Sequence, residues 1–324
     1  MRKIHFKNIE LLKVNKYYFS KSETIEASAL YENKKVPVII KVQRFNKNNI
    51  TKEIDILTKL NEMDLPFKVP KIYEVGKINN KNYYVCEKIK GDNLNYIIRK
   101  NFYYRYNYLF EYGKSLALIH NIPISNMLEA KERNINIIDD SKINNFKKEE
   151  VKGTISFVHG DYHFGNVLWQ GKKVSGIIDF EYAGIGIKEK DIAFALALKP
   201  KMLFMDNLLD IEAFLNGYKS ISNYNIDTLI YYYNLFLLDE YSKIKDIKFR
   251  NKILKLLKQI DSIEDKELLQ QKYNRIYEIY KEEMPFISLY NNVNFILYSR
   301  ELKGDLSSNW YDVFYNIENW YKIK

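Results

Sequence analysis

A chain of 324 residues and 38.8 kDa, with 46% hydrophobic and 28% charged side chains, has the mix of a folded protein of two lobes or one large domain and excludes wholesale disorder. The single cysteine, Cys86, excludes an internal disulfide, a Cys-rich zinc site and a Cys-x-x-Cys redox pair, and four histidines leave little room for a His-rich metal site. The net charge of +10 comes from 43 lysines and only eight arginines, which weighs against a nucleic-acid reader; residues 201–324 sum to −1 and residues 1–200 to +11, a balance that suits an anionic ligand in the front two-thirds or a solvated lysine surface.

In chain order, Lys16–Phe19 and Ile25–Tyr31 read as strands joined by a loop, Phe19-Ser20-Lys21-Ser22-Glu23-Thr24. Val36, Val38, Ile40 and Val42 alternate with Pro37, Ile39 and Lys41, the pattern of a further strand with a proline near its start. Asn49 to Asn61 reads as a helix, since Ile50, Ile54, Leu57 and Leu60 fall on one face. Tyr83-Tyr84-Val85-Cys86 reads as a strand, and Gly91-Asp92 ends this strand-rich part, with Asp92 or Asn93 as a helix cap. The chain then turns helical, with Leu109, Tyr112, Leu116 and Ile119 as a stripe. Residues 125–152 are polar and weakly periodic, a long connection or a short hairpin of helices. Two short apolar strands follow, Ile155 to Val158 and Val174 to Phe180, and residues 201–324 read as helical.

The chemistry-bearing stretch is Phe157-Val158-His159-Gly160-Asp161-Tyr162-His163-Phe164-Gly165-Asn166-Val167-Leu168, followed by Gly176-Ile177-Ile178-Asp179-Phe180-Glu181. A hairpin turning at Gly171 would bring Asp161, Asn166 and Asp179 to one end. Three hard oxygen ligands without a soft one suit Mg²⁺, with phosphates and water completing its shell.

This stretch resembles the catalytic loop of the aminoglycoside phosphotransferase and choline kinase family, which reads His-Gly-Asp with an Asn five positions on and a later Ile-Asp-Phe or Ile-Asp-Trp. The resemblance implies an α+β, bilobal, protein-kinase-like fold: a strand-rich nucleotide-clamping lobe over residues 1–90 and a mainly helical catalytic and acceptor-binding lobe over 91–324. It implies Asp161 as catalytic base and Asn166 and Asp179 as holders of Mg²⁺. Gly160 and Glu181 stand where protein kinases have Arg and Gly, which favours the small-molecule branch.

The same resemblance needs a strand lysine for the nucleotide's phosphates and a helix glutamate to orient it, and Lys41 and Glu53 fit; Asp55 lies on the other side of the helix. Glu87 and Ile89 match the inter-lobe hinge whose backbone holds adenine. Ser20 and Ser22 stand in the phosphate-covering loop, which contains no glycine, and Phe164 replaces the family's usual Pro. No Gly-x4-Gly-Lys-Ser/Thr run is present, so a P-loop is excluded. His159 and Asp191 match positions that brace the catalytic loop, and His120 reads as a core histidine.

The expected activity is Mg-dependent phosphoryl transfer from ATP or GTP to a hydroxyl of a small molecule. Asp239 and Glu240, on a tyrosine-rich helix from Leu229 to Tyr241, and Glu181 are candidates for receiving a cationic acceptor; tyrosines 231–233 as plain core and rim are the alternative. Aminoglycoside, choline, amino-sugar, methylthioribose and homoserine-type acceptors all stay open, as does a non-catalytic kinase-like binding or spore-coat-associated protein. Neither a nucleic-acid nor a membrane partner is expected, and oligomeric state is unreadable. With no apolar leader after Met1-Arg2-Lys3, and with apolar runs such as Ile192 to Leu198 far below the roughly 18–20 residues of a membrane span, the expected location is the cytoplasm.

Overall fold

The computed structural model describes residues 6–19, 22–44 and 50–263, with four short strands beyond them. Residues Met1–Leu257 form one compact unit and Lys258–Lys324 a second.

The first unit opens with five strands: β1 (Ile9–Phe19), β2 (Ser22–Tyr31), β3 (Lys34–Gln43), β4 (Ile72–Ile78) and β5 (Lys81–Glu87), in an antiparallel sheet ordered β1-β2-β3-β5-β4. The alternation along β3 decides its faces. Val38, Ile40 and Val42 pack with Ile25, Ala27, Ala29 and Val85 in a core on one side, which sends Lys41 to the other. Helix α1 (Thr51–Asn61) follows β3, and Glu53, Ile56, Leu57 and Leu60 form its buried stripe. A glutamate on that stripe must find a cation, because burying an unpaired carboxylate is costly.

Lys88 N–H donates to Pro37 O at 3.1 Å as the chain leaves the sheet. The two-residue strand β6 (Asp92–Asn93) leads into α2 (Leu94–Lys100), whose N-cap is Asn93, accepting from Tyr96 N–H at 3.1 Å. Helix α3 (Arg105–His120) comes next. Residues 121–154 form no helical hairpin; they run irregularly, with one 3-10 turn at Asn144–Phe146. Then come β7 (Ile155–Val158), the hairpin β8 (Val167–Gln170) and β9 (Lys173–Ile177), and β10 (Gly184–Ile187), antiparallel to β7. The hairpin turns at Gly171, φ +58°. Helices α4 (Lys188–Leu196), α5 (Leu208–Lys219), α6 (Ile226–Lys243) and α7 (Ile247–Ile263) complete the described run.

Several boundaries differ from the sequence reading. Strand β9 stops at Ile177, one residue before a last cross-strand bond from Ile178 N–H, and Asp179, with φ +65°, turns away. Ser22 and Thr24 lie in β2 rather than in a loop. The C-terminal third is not purely helical: β11 (Ile287–Leu289) pairs with β12 (Phe295–Leu297), and β13 (Leu302–Lys303) with β14 (Tyr321–Lys322). Ile-Ser-Leu and Phe-Ile-Leu are short β-branched and aromatic runs without helical periodicity, which suits strands. None of the described helices is long and apolar enough to cross a membrane.

Candidate active site

The site gathers where β3, α1, the β7–β8 connection and the end of β9 meet. Lys41 Nζ donates to Glu53 Oε2 at 2.7 Å and to Asp179 Oδ1 at 2.9 Å. Burial alone would lower the Lys41 pKa, but the carboxylates of Glu53 and Asp179 outweigh it and hold the ammonium well above its ordinary value. Asp179 is partly shielded from water, which would raise its pKa; Lys41 reverses this and keeps the carboxylate ionised. Tyr84, directly across the ladder from Lys41, adds a hydrogen bond to Glu53.

Asn166 closes the ladder on the other side. Its backbone carbonyl accepts from Ile178 N–H at 2.9 Å, so the residue lies one step from Asp179. Its side-chain amide nitrogen donates to Asp161 O at 3.0 Å, which leaves the amide oxygen as the atom that could serve as a ligand. Asn166 and Asp179 therefore offer two hard oxygens and no soft donor, a set that fits Mg²⁺ completed by phosphate and water. Among the described residues no group of three or more His, Cys, Asp or Glu side chains is arranged to hold a metal by itself.

Asp161 hangs on a firmly braced loop. Gly160 has φ +72°, and a Cβ there would come within 2.6 Å of Tyr182 O, so only glycine makes the turn. The buried Asp191 carboxylate accepts from His159 N–H at 2.7 Å and Gly160 N–H at 3.0 Å, and contacts His120 Nε2 at 3.2 Å. His120 Nδ1 lies 2.7 Å from the Tyr218 hydroxyl, so this histidine is fully engaged inside the core. His159 Nδ1 accepts from Asp161 N–H at 3.2 Å, which leaves Nε2–H to donate to Ile178 O at 3.1 Å. That pairing requires a neutral imidazole, and burial indeed lowers the His159 pKa. Tyr162 donates to Tyr112 O at 2.8 Å and stacks on Tyr112, pinning the loop to α3.

Burial raises the Asp161 pKa, with Arg133 pulling the other way. Arg133 was not legible in the sequence: it is one arginine in a polar, motif-free segment. The segment's position comes from backbone pairing along β10, where Ala130 N–H donates to Ile185 O and Ile185 N–H to Leu128 O, both at 2.8 Å. From there Arg133 Nε donates to Gly160 O at 2.8 Å and its terminal nitrogen pairs with Asp161. The guanidinium lies over the rings of Tyr182, at 4.3 Å, and Phe194, at 4.0 Å.

The remaining candidates are spread around this centre. Glu87 donates its N–H to Lys71 O at 2.8 Å where the chain leaves the sheet. Ile89 is buried and packs over Gly176. Ser22 is buried at the start of β2, opposite Gln43; Ser20 lies outside the described residues. Glu181 accepts from Lys131 at 2.9 Å. Asp239 accepts from Asn136 N–H at 3.0 Å and pairs with Lys243. Glu240 faces Lys199.

Solved structures share this arrangement of sheet and helices. The streptomycin–ATP ternary complex of APH(2")-IIa superposes with a TM-score of 0.51 over 72% of this chain and 84% of its own, at 16% identity. The fold is that of the aminoglycoside phosphotransferases. The Streptomyces rimosus aminoglycoside phosphotransferase (TM-score 0.50, 15% identity, 69% and 92% of the two chains) and the Brachybacterium faecium macrolide 2'-phosphotransferase (0.51, 12%, 77% and 92%) share it. In sequence, residues 128–224, which hold Arg133, Asp161, Asn166, Asp179 and Asp191, match the phosphotransferase enzyme family, APH. A curated relative, the aminoglycoside 3'-phosphotransferase of Niallia circulans, is 28% identical over 159 residues; the match spans 41% of this chain and 60% of that protein.

Proposed function

We propose that this chain is a nucleoside-triphosphate-dependent phosphotransferase that transfers a phosphoryl group to a hydroxyl of a small molecule. One observation carries the reading. A buried lysine is held charged between Glu53 and Asp179, beside Asn166 and within one braced loop of Asp161. A structural ion pair needs one carboxylate; the second, with 41% of its side chain exposed, lies open to a ligand. The streptomycin–ATP complex of a structural neighbour supports ATP as donor, with GTP as the alternative.

In this reading residues 1–90 clamp the nucleotide and the chain from residue 91 supplies the catalytic loop and the acceptor site. The Glu87 carbonyl and Ile89 backbone receive the base, and Lys41 positions the phosphates. Asn166 and Asp179 would hold Mg²⁺, which supplies positive charge against the triphosphate. Asp161 accepts the proton of the acceptor hydroxyl, and the raised pKa makes it a better base than an exposed aspartate. Such transition states are loose, so positioning and electrostatics do most of the work.

Asp161→Asn keeps the shape of the loop and removes the base. It should lower turnover by roughly 10²–10⁴ while Mg-ATP affinity is retained. Calorimetry with Mg-ATP and an ADP-release assay over an acceptor panel check both halves. Equal turnover by the variant would sink the assignment, and nucleotide binding without turnover on any acceptor would favour a kinase-like binding or spore-coat protein instead.

A further inference from the structure

Beside the catalytic loop lies a cavity of about 710 Å³, lined by Lys131, Arg133, Tyr182, Phe194, Lys199 and Asp239 among others. That volume suits a sugar-sized or larger acceptor. A polycationic acceptor would be received by two kinds of group, carboxylates and the faces of aromatic rings. Both are present, and both are already engaged by cations of the chain itself.

The carboxylates are matched one for one. Asp161 pairs with Arg133, Asp239 with Lys243 and Glu132 with Lys190. Glu181, next to the cavity-lining Tyr182, takes Lys131 at 2.9 Å. Glu240 is opposed by Lys199, which also caps the C-terminal end of α4 through Phe194 O and Ala197 O. The rings are matched too: Tyr182 carries Lys131 at 4.7 Å and Arg133 at 4.3 Å, and Phe194 carries Arg133 and Lys199, each at 4.0 Å. An incoming ammonium seeking these carboxylates or the rings of Tyr182 and Phe194 would have to displace one of these cations, and it would approach a chain of net charge +10.

On the phosphotransferase reading above, we propose that this cavity takes a hydroxy compound without net positive charge, neutral or acidic, and that Lys131 and Lys243 exclude polycationic aminoglycosides from it. Each of these lysines neutralises a carboxylate that would otherwise attract an amino sugar. Their side chains are 38% and 49% exposed, so removing them opens no core.

The test compares kanamycin binding by calorimetry, at low ionic strength and without nucleotide, in three full-length proteins: the wild type, Lys131→Met with Lys243→Met, and Lys131→Arg with Lys243→Arg. The methionine pair should bind kanamycin at least about tenfold more tightly than wild type, a change of about 1.4 kcal/mol, and the arginine pair should gain nothing. Melting temperatures verify that all three are folded. In parallel, ADP release by the wild type is measured with kanamycin, trehalose and lactobionate, and transfer should be confined to the last two. Equal kanamycin affinity in wild type and methionine pair, or kanamycin as the best acceptor, overturns the proposal. Failure of the phosphotransferase reading would look different: no Mg-ATP binding and no ADP release with any acceptor. The nucleotide-free kanamycin comparison would still decide the charge question.

Discussion

Lys41 shows how much a single side chain owes to its register. Period-2 alternation takes it off the face of Val38, Ile40 and Val42, and the next helix offers Glu53 from its own buried stripe. Under the proposed function the pair serves both folding and ligand binding, and the two roles can be separated. Lys41→Met leaves Glu53 buried beside Asp179 without a cation, which should cost about 3–5 kcal/mol of stability, read by urea denaturation, and abolish measurable Mg-ATP binding. Adding Glu53→Leu should return most of the stability, because a buried ion pair can be replaced by packed apolar groups. Nucleotide binding should stay lost. Recovery of binding in the double variant would show that Lys41 acts only as a structural partner. Lys41 and Glu53 were legible through the family resemblance, which needs a strand lysine and a helix glutamate; Lys41 also stood out as a charge inside an apolar strand. Arg133 had neither signal: its contacts with Asp161, Gly160, Tyr182 and Phe194 arise from chain pairing along β10, a long-range event that no local spacing records.

At the scale of elements, the helical part is organised by the closeness of α3 and α5. The two cross at glycines. A Cβ on Gly113 would stand 1.9 Å from Phe214 O, and one on Gly217 would stand 1.8 Å from Phe110 O. Backbone meets backbone there, so no rotamer change can make room. Gly217→Ala should therefore destabilise the protein by about 1–3 kcal/mol or more, the usual cost of overpacking, against a gain of under 1 kcal/mol in helix propensity. A thermal melt decides the sign, and an unchanged or raised melting temperature would contradict the crossing. The displacement would also reach the site, since α3 carries Tyr112 under the catalytic loop and His120 against Asp191. The sequence announced α3 by its apolar stripe and Gly171 as a hairpin turn, but it paired the strand from Val174 with Ile155–Val158; the partner is instead β8, which the motif residues before it masked, and β7 pairs with β10. For residues 125–152 the sequence left open a long connection or a helical hairpin; the long connection holds, its path fixed by pairing with β10 and by contacts such as Asn136 N–H to Asp239.

For the molecule as a whole, the brace around Asp161 ties stability to pH. His159 and His163 are both held in the neutral form, each chiefly by burial, with His163 brought down to about 4. In the unfolded chain their imidazoles titrate near 6.5. Between those values the unfolded state binds more protons than the folded state, so stability falls as pH falls. For His163 the contribution is complete above about 6.5 and is lost progressively toward about 4, at up to about 1.4 kcal/mol per pH unit, and His159 acts in the same direction. Asp179 and Asp191, whose folded pKa values lie below the ordinary carboxylate value despite burial, extend the same trend to more acid conditions. Melting curves from pH 8 to pH 4.5 should therefore decline from about pH 6.5 downward, before ordinary carboxylates begin to titrate. His163→Gln removes one titrating group and should make the decline shallower by up to about 1.4 kcal/mol per unit. A melting temperature that stays flat from pH 7 to pH 5 would mean that these imidazoles are solvated, and that the catalytic loop is not held as closed as its hydrogen bonds require.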